Sequence, residues 1–186
     1  MANRILILFI FAVAFANVQG QSNIYKTNRG NISFRSEAPL EIISASSNAL
    51  EGIIDQQSMT FAFVIPIHSF KGFNNGLQQQ HFYENYLETS KYPKASFTGK
   101  IIEDVDFSVP GTYHVRAKGL LNIHGRSQER IIKTELVSNG KEINAKAFFL
   151  VPLVDHQIEI PRVVNQKIAQ EIKVNVRATL TLESKS

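Results

Sequence analysis

Glu171-Ile172-Lys173-Val174-Asn175-Val176-Arg177-Ala178-Thr179-Leu180-Thr181 is the stretch that decides the fold. Ile172, Val174, Val176, Ala178 and Leu180 project to one side. Glu171, Lys173, Asn175, Arg177, Thr179 and Thr181 project to the other. Successive side chains of a strand point to opposite faces, so strict alternation means a β-strand with one buried and one wet face. Working outward, Tyr113, Val115, Ala117, Gly119, Leu121 and Ile123 repeat the pattern against Thr112, His114, Arg116, Lys118 and Asn122. Ile143, Ala145, Ala147, Phe149 and Val151 do so against Glu142, Asn144 and Lys146. Met59 to Phe70 reads as a long strand with Phe61, Phe63, Ile65 and Ile67 on one face. Pro66 falls on the other face and suggests an edge or a bulge.

Shorter strands are expected at residues 32–36, 40–45, 50–55, 95–103 and 131–137. Turn residues separate them at Asn74-Asn75-Gly76, Pro110-Gly111 and Ser138-Asn139-Gly140; the last is a strong hairpin signal. One segment departs from period two. Between Leu77 and Ser90, the apolar residues Phe82, Tyr83, Tyr86 and Leu87 fall at i, i+1, i+4 and i+5 among Gln and Glu. This predicts an amphipathic helix of about three turns, stopped by Tyr92-Pro93. A second helical turn is expected from Arg162 to Ala169, after Pro161. The fold class is therefore all-β, an antiparallel barrel of about eight strands with one inserted helix; a sandwich is the alternative. No repeat or linker divides residues 21–186, which read as one domain.

The chain opens Met1-Ala2-Asn3-Arg4, runs apolar from Ile5 to Phe15, then meets the small residues Ala14, Ala16 and Gly20. Charge, short apolar run and small residues in that order predict a secretory signal peptide over residues 1–20. The run is too short for a membrane span. The expectation is a periplasmic or secreted protein whose mature chain has no transmembrane segment. The net charge of +4 is spread without a Lys/Arg block, so nucleic acid is not an expected partner. With no cysteine, the chain has no disulfides, thiolate metal sites or cysteine nucleophile.

Catalytic signatures are missing too. His68, His81, His114, His124 and His156 form no metal-spaced pair, and no G-x-S-x-G, P-loop or G-x-G-x-x-G occurs. By register, His68, His114 and His124 belong on wet faces. Glu103, Asp104 and Asp106 lack the pattern of a calcium loop and read as a solvated turn. Neither an enzyme nor a metal site is expected. What remains is apolar surface: thirteen phenylalanines, with small residues (Ala117, Gly119, Ala145, Ala147, Ala178) on the inward faces. A solid core calls for bulk at such positions, so they lean toward space in the lumen. Alternation alone does not separate a filled lumen from a hollow one.

Three stretches resemble the YceI-like family of exported lipid-binding barrels. His81-Phe82 through Lys91-Tyr92-Pro93-Lys94-Ala95-Ser96-Phe97 is similar to its H-L…(F/Y)P-x-(I/A)-x-F block. Gly119-Leu120-Leu121-Asn122-Ile123-His124-Gly125 is similar to its G-x-L-x-I-H-G block. The third is the closing strand, Glu171 to Leu180, and Phe61 to Phe70 also matches the strand before the helix. Two elements depart. The family's R-x-D-F-G-I is here Leu153-Val154-Asp155-His156-Gln157-Ile158, and its V-K-H…G-x-F block is not visible between Asn31 and Asp55. The resemblance implies an extended lipocalin-like barrel with the helix packed over it. It also implies a polyisoprenoid or isoprenoid quinone in an apolar lumen, with no cofactor required. The expected lumen residues are Phe61, Phe63, Ile65, Ile67, Phe82, Tyr86, Phe97, Tyr113, Val115, Ala117, Gly119, Leu121, Ala145, Ala147, Phe149, Val174 and Val176. The expected partner is an apolar lipid, with a second copy in a homodimer left open. A structural or interaction barrel with a filled core is the competing function. An enzyme would need a pocket histidine clustered with Asp or Glu.

Overall fold

Strand β1 (Ile24–Glu37) pairs with both β2 (Ile42–Asp55) and β8 (Glu171–Leu182), and that double pairing closes the sheet on itself. Between them run β3 (Thr60–Pro66), β4 (Lys94–Ile101), β5 (Gly111–Ile123), β6 (Arg126–Ser138) and β7 (Glu142–Pro152). All eight are antiparallel neighbours in sequence order around one barrel. The computed structural model describes residues 24–183; the signal peptide expected at residues 1–20 lies outside them. The barrel is closed, but the β2–β3 pairing stops at Glu51 and Val64, so Pro66 pairs only with Lys94 of β4, on a locally unpaired side of the last residue of β3, before the 3₁₀ turn Ile67–Ser69.

The alternation read from the sequence sets each strand's inward face. Val115, Ala117 and Leu121 are buried, while Arg116 and Lys118 between them are exposed. Lys133, Lys146 and Arg177 continue the charged exterior. A barrel that crosses a bilayer presents the reverse, an apolar band outside. Among the described residues no helix is long and apolar enough to cross a membrane.

The region from 24 to 55 differs from expectation: three short segments are two strands of fourteen residues each. Register shifts around Gly30 break the phase of β1. In β2, serine occupies a buried inward position at Ser47, so the apolar beat is interrupted.

The inserted helix is also shorter than the expected Leu77–Ser90. Helix α1 (Gly76–His81) continues as a π-helical turn, Phe82–Tyr86, and ends before Glu88, whose φ is +41°. Asn75 caps its start by accepting from the Gln78 N–H at 2.9 Å. After Pro161 the helical stretch is only the 3₁₀ turn Arg162–Val164.

Two hairpins have compact turns. Asn139-Gly140 turns between β6 and β7 as its sequence predicts, with Gly140 at φ +89°. His124-Gly125 joins β5 to β6 in two residues with φ of +52° and +68°, the double left-handed geometry whose twist suits a hairpin.

Candidate functional site

The inward faces do not meet at the axis. They enclose a cavity of about 530 Å³, within the range of small-molecule sites. Its wall is aromatic and aliphatic, with Phe61, Phe63 and Ile65 from β3, Phe97 from β4, Leu121 from β5 and Val174 from β8. Ala117, Ala145 and Ala178 line it as well, and Ala145 pairs directly with Ala178 across β7 and β8. Phe63, Phe97, Phe149 and Val176 face inward yet are only half-buried, because the space they face is empty. This hollow is the observation that favours a ligand-bearing lumen over a filled one.

One end of the barrel is shut. Phe107, from the loop after β4, is fully buried beside Tyr25, Ile143 and Leu180. Its ring meets Tyr25 edge-on at 6.2 Å and Tyr113 edge-on at 5.7 Å. The Ser138 hydroxyl donates to the Phe107 carbonyl at 2.5 Å, and the Tyr113 hydroxyl donates to the Val109 carbonyl at 2.7 Å. These bonds hold the loop that delivers the plug. Ser108 and Gln56 bond Asp106 in the same loop and hold its carboxyl below the usual range.

The other end is the mouth. Phe34, Phe70, Phe73 and Phe82 form an aromatic collar there. Phe82 stacks on Phe34 at 5.2 Å and lies 5.0 Å from Phe73. The Tyr83 hydroxyl donates to the Phe70 carbonyl at 2.7 Å, which seats the helical segment on the collar. Glu41, Asn75, Gln78, His81 and Lys167 supply polar groups to the lining here.

All but two of the residues expected in the lumen lie on this wall; the exceptions are Tyr113 and Gly119. Tyr113 shares the inward face but sits at the shut end, packed against Phe107. Gly119 stands directly opposite Gly99 in the β4–β5 pairing. A Cβ on Gly119 would lie 2.2 Å from the Thr98 carbonyl oxygen, so it marks tight strand contact and not spare volume. Phe82 and Tyr86 line the cavity half-buried, and Leu87 is the buried anchor of that segment. Sequence reasoning missed Phe34, Phe70 and Phe73. Phe34 alternates with Ser33 and Arg35, a signal that was present; Phe70 and Phe73 flank a turn and carried none.

One histidine stands apart from expectation, and a second is buried beside it. His124 is not on a wet face. Its Nε2 lies 2.8 Å from the Glu88 carboxylate, its Nδ1 3.2 Å from the His156 carbonyl, and Tyr92 packs edge-on to it at 4.8 Å. Lys91 first and His124 second hold the Glu88 carboxyl below the usual range. His156 is fully buried, and its Nδ1–H donates to the Arg126 carbonyl at 3.1 Å. Burial pushes its imidazole pKa down and keeps it neutral. Neither histidine nor Glu88 lines the cavity, so this cluster joins the hairpin to the helix end and faces no substrate space. No group of three or more potential metal ligands occurs among the described residues.

The same architecture recurs in solved structures at low identity. A polyisoprenoid-binding domain from Saccharophagus degradans, implicated in plant cell wall breakdown, superposes with a TM-score of 0.74 at 16% identity, over 88% of this chain and 100% of that one. BcnA of Burkholderia cenocepacia gives 0.66 at 12% identity, over 82% of this chain and 96% of that one. The YceI protein of Campylobacter jejuni gives 0.54 at 16% identity, over 86% of each chain. No curated protein matches in sequence. The model of the YceI-like domain matches residues 12–180, which is nearly the whole chain, and the protein therefore belongs to the YceI-like domain family.

Proposed function

We propose that this protein binds an apolar lipid of the polyisoprenoid class, a polyprenol or an isoprenoid quinone, in the barrel lumen and carries it outside the cytoplasm. The carrying observation is the cavity, an apolar tube of about 530 Å³ shut at one end, with polar groups gathered at its mouth. A prenyl tail in water costs about 0.8 kcal/mol for each CH₂-sized unit, and a dry wall of Phe, Ile, Leu and Val removes that cost. Small residues at Ala117, Ala145, Ala147 and Ala178 leave the width for the tail. The polar head stays at the mouth beside Glu41, Gln78, His81 and Lys167. No bond is made or broken.

Two further facts support the reading. The Saccharophagus relative is described as polyisoprenoid-binding. The order of charge, apolar run and small residues over 1–20 supports export. One preparation tests both parts. Protein purified from its native host is split between organic extraction and intact-mass measurement. The expected results are a prenyl lipid in near-equimolar amount and a chain lacking its first sixteen to twenty residues, by estimate. An extract without lipid refutes the carrier; a full-length chain in the cytoplasm refutes export.

A further inference from the structure

The mouth of the lumen carries large apolar side chains on its outer rim as well as on its wall. Leu40 stands on the β1–β2 turn, Ile42 at the start of β2, Leu77 at the start of α1, and Val163 on the 3₁₀ turn Arg162–Val164. All four are exposed, Val163 at 89% and Leu40 at 66%. Three hydrogen bonds gather these elements into one rim. The Leu40 N–H donates to Gln166 O at 2.9 Å, Asn74 Nδ2 donates to Ile42 O at 2.9 Å, and Gln78 Nε2 donates to Glu41 Oε1 at 2.5 Å. The rim runs into the lumen, since Leu77, Val164 and Lys167 also line the cavity.

Single exposed apolar residues are ordinary; several gathered round the opening of an apolar cavity are not. Two cations of this rim, Arg162 and Lys167, stand on either side of Val163 and Val164. Neither forms an ion pair among the described residues. Glu41, on the same rim, accepts a hydrogen bond from Gln78 and forms an ion pair with neither cation. Apolar tips flanked by unpaired cations match a bilayer with anionic headgroups, apolar groups below the surface and cations at it. A second copy meeting rim to rim would instead set these cations against their counterparts.

We propose that this rim docks the protein on an anionic lipid bilayer, with Leu40, Leu77 and Val163 entering the interface and Arg162 and Lys167 at headgroup level. The inference rests on the carrier reading. A cargo insoluble in water passes between membrane and lumen most directly when the mouth is pressed against the bilayer.

The test is sedimentation of the delipidated protein with phosphatidylethanolamine–phosphatidylglycerol vesicles and with phosphatidylcholine vesicles. It is run beside uptake of a detergent-dispersed fluorescent prenyl probe. Wild type sediments with the anionic vesicles, less so as salt rises. The Leu40→Asp/Val163→Asp variant changes two residues that do not line the lumen. It loses about tenfold or more of the vesicle partition and keeps probe uptake. Arg162→Glu lowers binding to the anionic vesicles alone. Docking is overturned if wild type sediments with neither vesicle, or if the double variant sediments as wild type does. It is also overturned if the rim substitutions abolish only self-association, which would make a second copy the occupant. Probe uptake without vesicle binding keeps the carrier and removes the docking surface. Vesicle binding through the rim without probe uptake keeps the docking surface and removes the carrier.

Discussion

At one end of the barrel Tyr25, Phe107, Ile143 and Leu180 are at most 1% exposed; toward the other, Phe34, Phe63, Phe97 and Phe149 point inward and stay half-buried. The residue types are alike, so hydrophobicity does not explain the difference. Delivery does. At the shut end a loop carries Phe107 into the axis, and Tyr113 and Ser138 bond its backbone in place. Beyond the plug the strands alone must fill the space, and the alanines at 117, 145 and 178 beside it and at 147 do not reach across. The aromatic rings there are held round the rim as a collar, with Phe82 stacked on Phe34. A barrel of this size is solid where a side chain is inserted along its axis and hollow where its wall must serve alone.

The largest effect should come from the plug. Phe107→Ala removes a fully buried ring whose neighbours belong to separate strands and cannot close over the gap. A loss of about 3–5 kcal/mol is expected by chemical denaturation. A loss below about 1 kcal/mol would erase the contrast between the ends. Phe82→Ala, in the collar, removes a half-buried ring beside an existing void. It should cost less, about 1.5–3 kcal/mol, and lower prenyl-probe affinity as well. Equal costs for the two substitutions would mean that the collar is packed as a core.

A smaller effect, of opposite sign, is expected outside both ends. Gln157 adopts φ +54° after the Leu153–His156 turn, in the place where the family pattern has glycine. Gln157→Gly should stabilise by about 1 kcal/mol, since a left-handed conformation strains a residue with a Cβ. Its neighbour His156 sets a pH dependence. The folded-state pKa lies below the unfolded value, so on acidification the unfolded chain takes up the proton first. Stability should be level above the ordinary histidine value of about 6.5 and fall as pH drops below it. His156→Gln should flatten that window in denaturation midpoints measured on either side of it; an unchanged slope would assign the titration to other groups.

Much of this was legible in the sequence because period two reports a side chain's face directly. It assigned the inward faces of β3, β5, β7 and β8, and with them most of the cavity wall. It says nothing of height along the axis, which is why Tyr113 belongs to the plug. Nor does it report the spacing of neighbouring strands, which is why Gly119 is a contact and not a gap. The first two strands were obscured by register shifts around Gly30 and by an inward serine at position 47. Phe107 stands in a short alternation, Val105-Asp106-Phe107-Ser108-Val109, but the acids around it read as a solvated turn and hid the buried ring. The helix boundary depended on a π-helical turn and a left-handed Glu88, and neither has a sequence marker.

The central claim is that the hollow end is a binding site, and linkage between ligand and stability tests it most directly. Delipidated wild type and Ala147→Leu are unfolded in urea with and without a long-chain prenol. A ligand that binds only the folded state at about a hundred times its Kd should stabilise wild type by about 2.7 kcal/mol. Ala147→Leu fills lumen space, so its ligand-free stability should stay within about 1 kcal/mol of wild type while most of the ligand-induced gain disappears. No gain in wild type, together with a cost of about 1–3 kcal/mol for Ala147→Leu as in an overpacked core, would contradict the account.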